Sequence, residues 1–350
     1  MSMRDAVISF PMLGENFRIN PPASISIGGF QIYFYGIIIA FGLLLAVLYA
    51  SKTSTRFGMT MEQVYDYLIW AVISAVVCAR LYYCLTYTNN AGIHTYLEDP
   101  LSILRIRDGG LAIYGGVIGA ILALCVIASL RHEKVWKALD IMALGLLIGQ
   151  CVGRWGNFFN REAYGYETDV FCRMGLTIYG STFYVHPTFL YESLWNLLGF
   201  LVLHFHSKTR RLYQGQYFLL YLMWYGFGRM FIEGLRSDSL WLIPGVIRIS
   251  QLIAAVTFTL ALVVYLANRS RLELGYRPLL GALDSDDAAP RPKSSVPQAE
   301  QAASGTGSGG LSWLNTAEKS TAPGETAEQP AQEKPSESGK AVSTDWHNLQ

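Results

Sequence analysis

Seven long apolar runs, at roughly 31–51, 65–87, 110–130, 136–153, 187–205, 214–232 and 249–267, constrain this chain more than any other feature. A polypeptide needs about 20 largely apolar residues to cross the hydrocarbon core of a bilayer. Within lipid only helices and closed barrels satisfy their own backbone groups, and runs this long and continuous predict helices. The expected fold is an all-α integral membrane protein with about seven transmembrane helices. The fourth run is the weakest, because Asp140 lies inside it and a polar motif truncates it, and the second carries Asp66 and Arg80. Arg80 and Asp140 lie deep enough to need partners, either each other or groups on other spans.

Composition agrees with this reading. Hydrophobic residues make up 51% of the chain and charged residues only 15%, against about 25% charged in an average soluble domain. A net charge of +1 gives no reason to expect nucleic acid as a partner. The five cysteines include no C-x-x-C pair, and four lie in apolar runs, which reads as small buried apolar residues. The six histidines show no metal spacing. Residues 1–30 lack the apolar core of a signal peptide and read as an extracytoplasmic arm; 31–268 form the seven-span domain. Residues 269–350 read as a cytoplasmic juxtamembrane segment and a tail. From about Leu279 the tail is rich in Ala, Ser, Pro, Gly, Glu and Lys and is expected to be disordered.

A plain count of basic residues in the loops barely decides orientation. Every loop lysine (Lys52, Lys134, Lys137, Lys208) lies on one side, whereas the other side uses arginine only, mixed with acidic residues. The lysine side reads as cytoplasmic, giving N-out and C-in. Arginines gathered against the positive-inside rule then need their own explanation, and binding an anion is one.

Two polar clusters stand at the outer ends of spans. In GRWGNFFNREAYG, residues 153–165, helical spacing places Arg154, Asn157 and Arg161 on one face. Gly153, Gly156 and Gly165 argue against an uninterrupted helix through the stretch and for a helix fraying into a loop. Snorkelling to water explains one arginine, but not Asn157, Asn160 and Glu162 beside it. In GRMFIEGLR, residues 228–236, Arg229, Glu233 and Arg236 share one stripe, and Glu233 can pair with both arginines. A structural ion-pair ladder competes with a functional reading for that segment alone. Each charge near mid-membrane costs about 2.5–3.5 kcal/mol on insertion scales, so the two clusters are expected to converge on one polar cavity.

Three further segments are weaker alone. RIRDGGLAIYGGVIGA, residues 105–120, has glycines suited to close helix packing, and Tyr114 is either an interfacial anchor or a hydroxyl aimed into the cavity. In HPTFLYE, residues 186–192, His186 and Glu192 lie on different helix faces and are not expected to pair. Tyr35 fits the ordinary aromatic belt.

Taken together, these segments resemble the bacterial prolipoprotein diacylglyceryl transferase family, over about residues 17–267, with GRWGNFFNREAYG the most specific. The resemblance implies transfer of the diacylglyceryl group of phosphatidylglycerol to the lipobox cysteine thiol of a prolipoprotein. A thioether forms and glycerol-1-phosphate leaves, at the extracytoplasmic side of the bacterial plasma membrane, and neither a metal nor an organic cofactor is implied. It places Arg154 and Asn157 on the lipid headgroup and Arg229 on the phosphate or leaving group. Glu162, Glu233 and Arg236 would hold the arginines, Gly165 would shape the wall, and Tyr35, Asn160, Gly109 and Gly115 join the substrate-binding set. Many members have histidine before the glycine pair, where this chain has Tyr114. With an ordinary pKa near 10, tyrosine is a poor neutral base, so Tyr114 is expected to orient the acceptor or phosphate by hydrogen bonding.

Other classes fit less well. A transporter would show internal repeats with broken helices, and no convincing repeat is present. An intramembrane protease would show G-x-S-G or an aspartate pair, and a retinal protein would need a lysine in the last span.

Overall fold

A computed structural model describes residues 5–14, 16–28, 30–87, 96, 100–105, 109–243 and 245–283. The expected disordered tail from residue 284, and several of the loop charges weighed for orientation, lie outside the described residues. Seven helices of 18 residues or longer occur among those described: α1 (Phe34–Thr53), α2 (Met61–Thr86), α3 (Ile113–Leu130), α4 (Val135–Asn160), α5 (Thr188–Ser207), α6 (Gln216–Leu235) and α7 (Ile249–Glu273). Five of them, α1 to α4 and α7, are long and apolar enough to cross a membrane. Their outward faces expose Ile73, Val77, Ile118, Leu122, Leu252 and Val256, side chains that only lipid would solvate favourably.

The fourth apolar run, the weakest in the sequence, becomes the central helix. α4 packs on α1, α5 and α6, and its Ala143, Leu144 and Leu147 are completely buried. Asp140 is buried because it has work elsewhere: its carboxylate accepts the N–H groups of Gly215 (2.9 Å), Tyr217 (2.8 Å) and Phe218 (3.1 Å) at the start of α6. Arg211 stands 3.6 Å away. An acidic group at a helix N-terminus satisfies orphan amides and the positive end of the dipole. Arg80 donates instead to the carbonyls of Ser102, Ile103, Arg105, Gly109 and Gly110. The two deep charges therefore pair with other segments and not with each other.

α3 lies against α2 as the glycines predict. A Cβ on Gly115 would stand 2.4 Å from the Cys78 carbonyl, and one on Gly119 would stand 2.5 Å from that of Ser74. The lysine loops meet at one end of the bundle, where Lys137 donates to the Gly58 carbonyl and Arg56 to Ser207 Oγ.

One expectation needs correction. The protein is mostly helical but not all-α: β1 (Val7–Ser9), β2 (Arg18–Ile19), β5 (Met174–Ile178) and β6 (Ser181–Val185) form an antiparallel sheet of order β2-β1-β5-β6. Two hairpins are separate, β3 (Ser24–Ile27) with β4 (Phe30–Tyr33) and β7 (Trp241–Ile243) with β8 (Ile247–Arg248). The strands of the sheet are two to five residues long, too short for alternation to stand out, and Ile8 pairs with Leu176 far along the chain. The sheet buries Ile8, Met174, Leu176 and Val185 against Phe158 of α4 and Phe189 of α5.

α4 does give way to a loop inside the 153–165 stretch, as expected, but only after Asn160, having run unbroken through Gly153 and Gly156. The Tyr35 ring of α1 fills the space beside Gly156, where a Cβ would lie 2.8 Å from it, so this glycine serves helix packing. The helix stops at Arg161, which takes a left-handed conformation (φ 50°). A few residues past Leu279 are still packed: Asn268 Oδ1 accepts from the N–H groups of Leu279 and Leu280, and Gly281 O accepts from Gln214 N.

Candidate active site

The site is assembled from three helix ends. Arg154 comes from the last turns of α4, Glu192 from the second turn of α5, and Arg229, Glu233 and Arg236 from the end of α6. Pro187 precedes α5, and the loop between α4 and the sheet laces its start to the end of α6. Gly165 N donates to His186 O and Tyr166 N to Leu235 O, both at 2.9 Å. A Cβ at Gly165 would lie 2.6 Å from His186 Cβ and 2.7 Å from Leu235 O, so only glycine fits where these strands of chain meet.

Glu192 is the hub. Its Oε2 pairs with Arg154 Nη2, and its Oε1 accepts from Arg229 Nη1 at 2.9 Å and lies 3.8 Å from Arg236 Nη1. Glu233 Oε2 stands 2.6 Å from Arg229 Nη2 and 4.0 Å from Arg236 Nε. Arg236 also grips Asp238 with two hydrogen bonds, at 2.9 and 2.8 Å. Burial pushes the Asp238 carboxyl upward, but those two bonds and the arginine charge outweigh it and hold its pKa below the ordinary carboxylate value. The glutamate side chains are 5% and 3% exposed, the three arginines 13–19%. With Asp238 counted, three carboxylates balance the three arginines, but each guanidinium carries five N–H donors, more than these pairs engage, so donors at the opening can still hold an anion.

Beside the cluster opens a cavity of about 460 Å³. Arg154, Asn157, Gln150 and Tyr35 form its polar end, and Leu43, Ala46, Ile141, Met142 and Leu146 continue it as an apolar chamber. Asn157 accepts a long contact from Arg154 Nη1 (3.4 Å) and donates to Glu162 Oε1 (2.9 Å), so Glu162 reaches the arginine only through Asn157.

The structure thus brings together Arg154, Asn157, Glu162, Tyr35, Arg229, Glu233, Arg236 and Gly165. It does not bring Tyr114, Gly109, Gly115 or Asn160 to the cluster. Ile113 lines the cavity and its neighbour Tyr114 does not, being 42% exposed. Gly109 (φ 86°) receives Arg80, Gly115 packs on α2, and Asn160 Oδ1 is buried without a hydrogen-bond partner among the described residues. Arg161 also leaves the expected stripe. Its left-handed backbone turns the guanidinium to Ala6 O (3.1 Å), Phe159 O (2.6 Å) and Asn20 Oδ1 (2.8 Å), which ties the N-terminal arm down.

Glu192 is the residue that helical-face reasoning passed over. Its signal was available: it is the only Asp, Glu, Lys or Arg in the run 187–205, and such a residue in lipid marks a site by default. His186 is a hydrogen-bond partner, its Nδ1 3.3 Å from Tyr191 Oη, and burial lowers its pKa.

A helical membrane protein with a buried arginine–glutamate cluster at the head of an apolar chamber belongs among proteins that handle an anionic amphiphile. The profile of the prolipoprotein diacylglyceryl transferase family matches residues 22–267. A phosphatidylglycerol–prolipoprotein diacylglyceryl transferase of Limosilactobacillus reuteri is 42% identical over 262 residues, covering 71% of this chain and 92% of the relative. Enzymes of the same name from Enterococcus faecalis (42% over 259 residues, 71% and 90% covered) and Listeria monocytogenes (37% over 277 residues, 75% and 95% covered) are similar along nearly the same stretch. The chain belongs to the prolipoprotein diacylglyceryl transferase family.

Proposed function

We propose that this protein transfers the diacylglyceryl group of phosphatidylglycerol to the thiol of a prolipoprotein lipobox cysteine, the first step of lipoprotein maturation. The observation that carries the reading is the convergence of Arg154, Arg229 and Arg236 on Glu192 at the polar end of an apolar cavity. The cysteine sulfur attacks a glycerol carbon of the lipid. A C–S bond forms, the C–O bond to phosphate breaks, and glycerol-1-phosphate leaves carrying the electron pair, while the thiol's proton passes in the net balance to the departing phosphate monoester, whose second ionisation lies at about pH 6. Negative charge therefore grows on the leaving oxygen, and fixed cations in a water-poor site stabilise it more in the transition state than in the ground state.

In this scheme Arg154 and Asn157 hold the headgroup, and Arg229 faces the phosphate and its leaving oxygen. Glu192, Glu233, Glu162 and Arg236 keep the cations in place, with Gly165 and Tyr35 shaping the wall. The acyl chains occupy the apolar chamber. Tyr114 takes no part in the phosphate site; its exposure beside Ile113 supports contact with the incoming acceptor, as an orienting hydroxyl and not as the base.

The same reading makes the protein a seven-span, N-out and C-in protein of the bacterial plasma membrane, with the site toward the outside. Supporting it, α5 and α6 have 20 residues each, about 30 Å at 1.5 Å per residue and enough to cross the hydrocarbon core. The lysine loops gather at the end of the bundle from which α4 sets out, and Arg154 lies near its other end.

Purified protein in detergent, given phosphatidylglycerol and a lipobox peptide, should add one diacylglyceryl unit to the cysteine, read by mass spectrometry. Arg154→Ala should abolish the gain without unfolding. Phospholipid binding with no transfer by the wild type would overturn the reading in favour of lipid transport.

A further inference from the structure

Between α5 and α6 lies a second, much smaller cavity of about 10 Å³, lined by Glu192, Trp195, Asn196, Tyr225, Arg229 and Ile232. A space of roughly 10–15 Å³ for a water-sized sphere holds one water molecule, provided polar groups face it. Asn196 is 2% exposed, and its Oδ1 has no hydrogen-bond partner among the described residues. Buried amide oxygens are nearly always paired, with protein or with water. Asn196 also follows Glu192 by one turn of α5, so the two side chains share a face.

The walls around this space cannot close on it. Trp195 Nε1 donates to Trp224 O (3.1 Å) and Trp224 Nε1 to Trp195 O (3.0 Å), with the indoles stacked 4.5 Å apart. Each ring lies over a glycine of the facing helix. A Cβ on Gly228 would stand 2.1 Å from Trp195 Nε1, and one on Gly199 would stand 2.3 Å from Trp224 Nε1. This clamp fixes the spacing of the two helices at the level of Asn196 and Arg229.

We propose that the cavity binds a single water, which donates to Asn196 Oδ1 and a Glu192 oxygen and accepts from the Arg229 guanidinium. Asn196 is thereby a positioning residue for Arg229. The proposal rests on the transfer reaction described above. Glu192 and Glu233 fix two nitrogens of Arg229 from the carboxylate side. The water supplies a third anchor that sets the plane of the guanidinium, so that its free N–H groups meet the phosphate in the transition state. Headgroup binding, shared with Arg154, depends on that plane much less.

The test compares Asn196→Leu, which keeps the volume and removes the acceptor, with Asn196→Ser, which restores an acceptor. Loss of the bridge should lower kcat of the Leu variant on the order of tenfold, with KM for phosphatidylglycerol within about twofold. Its Tm should be no lower than wild type, and the Ser variant should regain most of the rate. A wild-type map that resolves ordered waters should show one between Asn196, Glu192 and Arg229, lost in the Leu variant. If the Leu variant does not fold, Asn196→Ala against Asn196→Ser carries the same contrast. Wild-type kcat in the Leu or Ala variant, a Ser variant equally slow, or a wild-type map without this water would overturn the proposal. Failure of the wild type to transfer at all would overturn the reaction instead, and the map would still decide the water site.

Discussion

Replacing Glu192 by glutamine keeps the side chain's shape and removes one negative charge from the reach of three arginines. The loss falls unevenly. Arg229 keeps Glu233 at 2.6 Å, and Arg236 keeps Asp238 through bonds of 2.9 and 2.8 Å. Arg154 keeps only the 3.4 Å contact with Asn157 among the partners described for it. Arg154 is therefore the cation set loose. A hydrogen bond to a charged group contributes about 1.5–3 kcal/mol, which converts to roughly a 10- to 150-fold fall in kcat. Folding should suffer less than the ~3–5 kcal/mol typical of breaking a sealed ion pair, because the Arg154 side chain is 19% exposed at the cavity and water can solvate it. Since the site gains positive charge, affinity for the anionic headgroup should be unchanged or higher. The assay is diacylglyceryl transfer to a lipobox peptide over a range of phosphatidylglycerol concentrations, with Tm measured alongside. A folded Glu192→Gln protein whose kcat stays within about threefold of wild type, or whose defect lies wholly in KM, would refute the hub role.

Three further outcomes are expected. Tyr114→Phe should lower transfer only partly, and complete loss with the fold intact would argue that the hydroxyl takes part in the chemistry. Gly165→Ala should destabilise by more than about 2 kcal/mol, since its methyl meets the Leu235 backbone carbonyl at 2.7 Å and cannot relax cheaply; an unchanged Tm would contradict that. Asp238 has a depressed pKa in the folded protein, so its stabilisation is present above the ordinary carboxylate value near 4 and is lost as pH falls through the lower folded value. Tm measured across the acid range should drop less steeply in Asp238→Asn than in wild type, and parallel curves would remove Asp238 from the latch on Arg236.

The helices could be read directly, and so could the two arginine motifs, for a common reason. Hydrophobicity over about 20 residues and ionisable groups set against lipid are local properties with few structural outcomes. The identity of Arg154, Arg229, Glu233 and Arg236 as a set followed from where they lie in the spans. The sheet could not be read the same way. Its strands, of two to five residues, carry too little pattern alone, and β1 meets β5 across more than 160 residues of chain. Where within 153–165 the helix gives way to a loop was hidden for a related reason: a glycine such as Gly156 that lowers helix propensity is retained when another helix, here through Tyr35, occupies the space of its missing side chain.

By itself, then, the sequence determined a membrane-embedded helical protein with an anion-binding end, because lipid leaves a chain no other way to place such runs and such charges. Only the tertiary structure decided which carboxylate gathers the arginines. Glu192 is 38 residues beyond Arg154 and 37 before Arg229, and its lone charge in the 187–205 run marks a site without saying which cations it meets. It becomes the centre of the site because α4, α5 and α6 pack together, and a buried charge is stable only where packing delivers its partners.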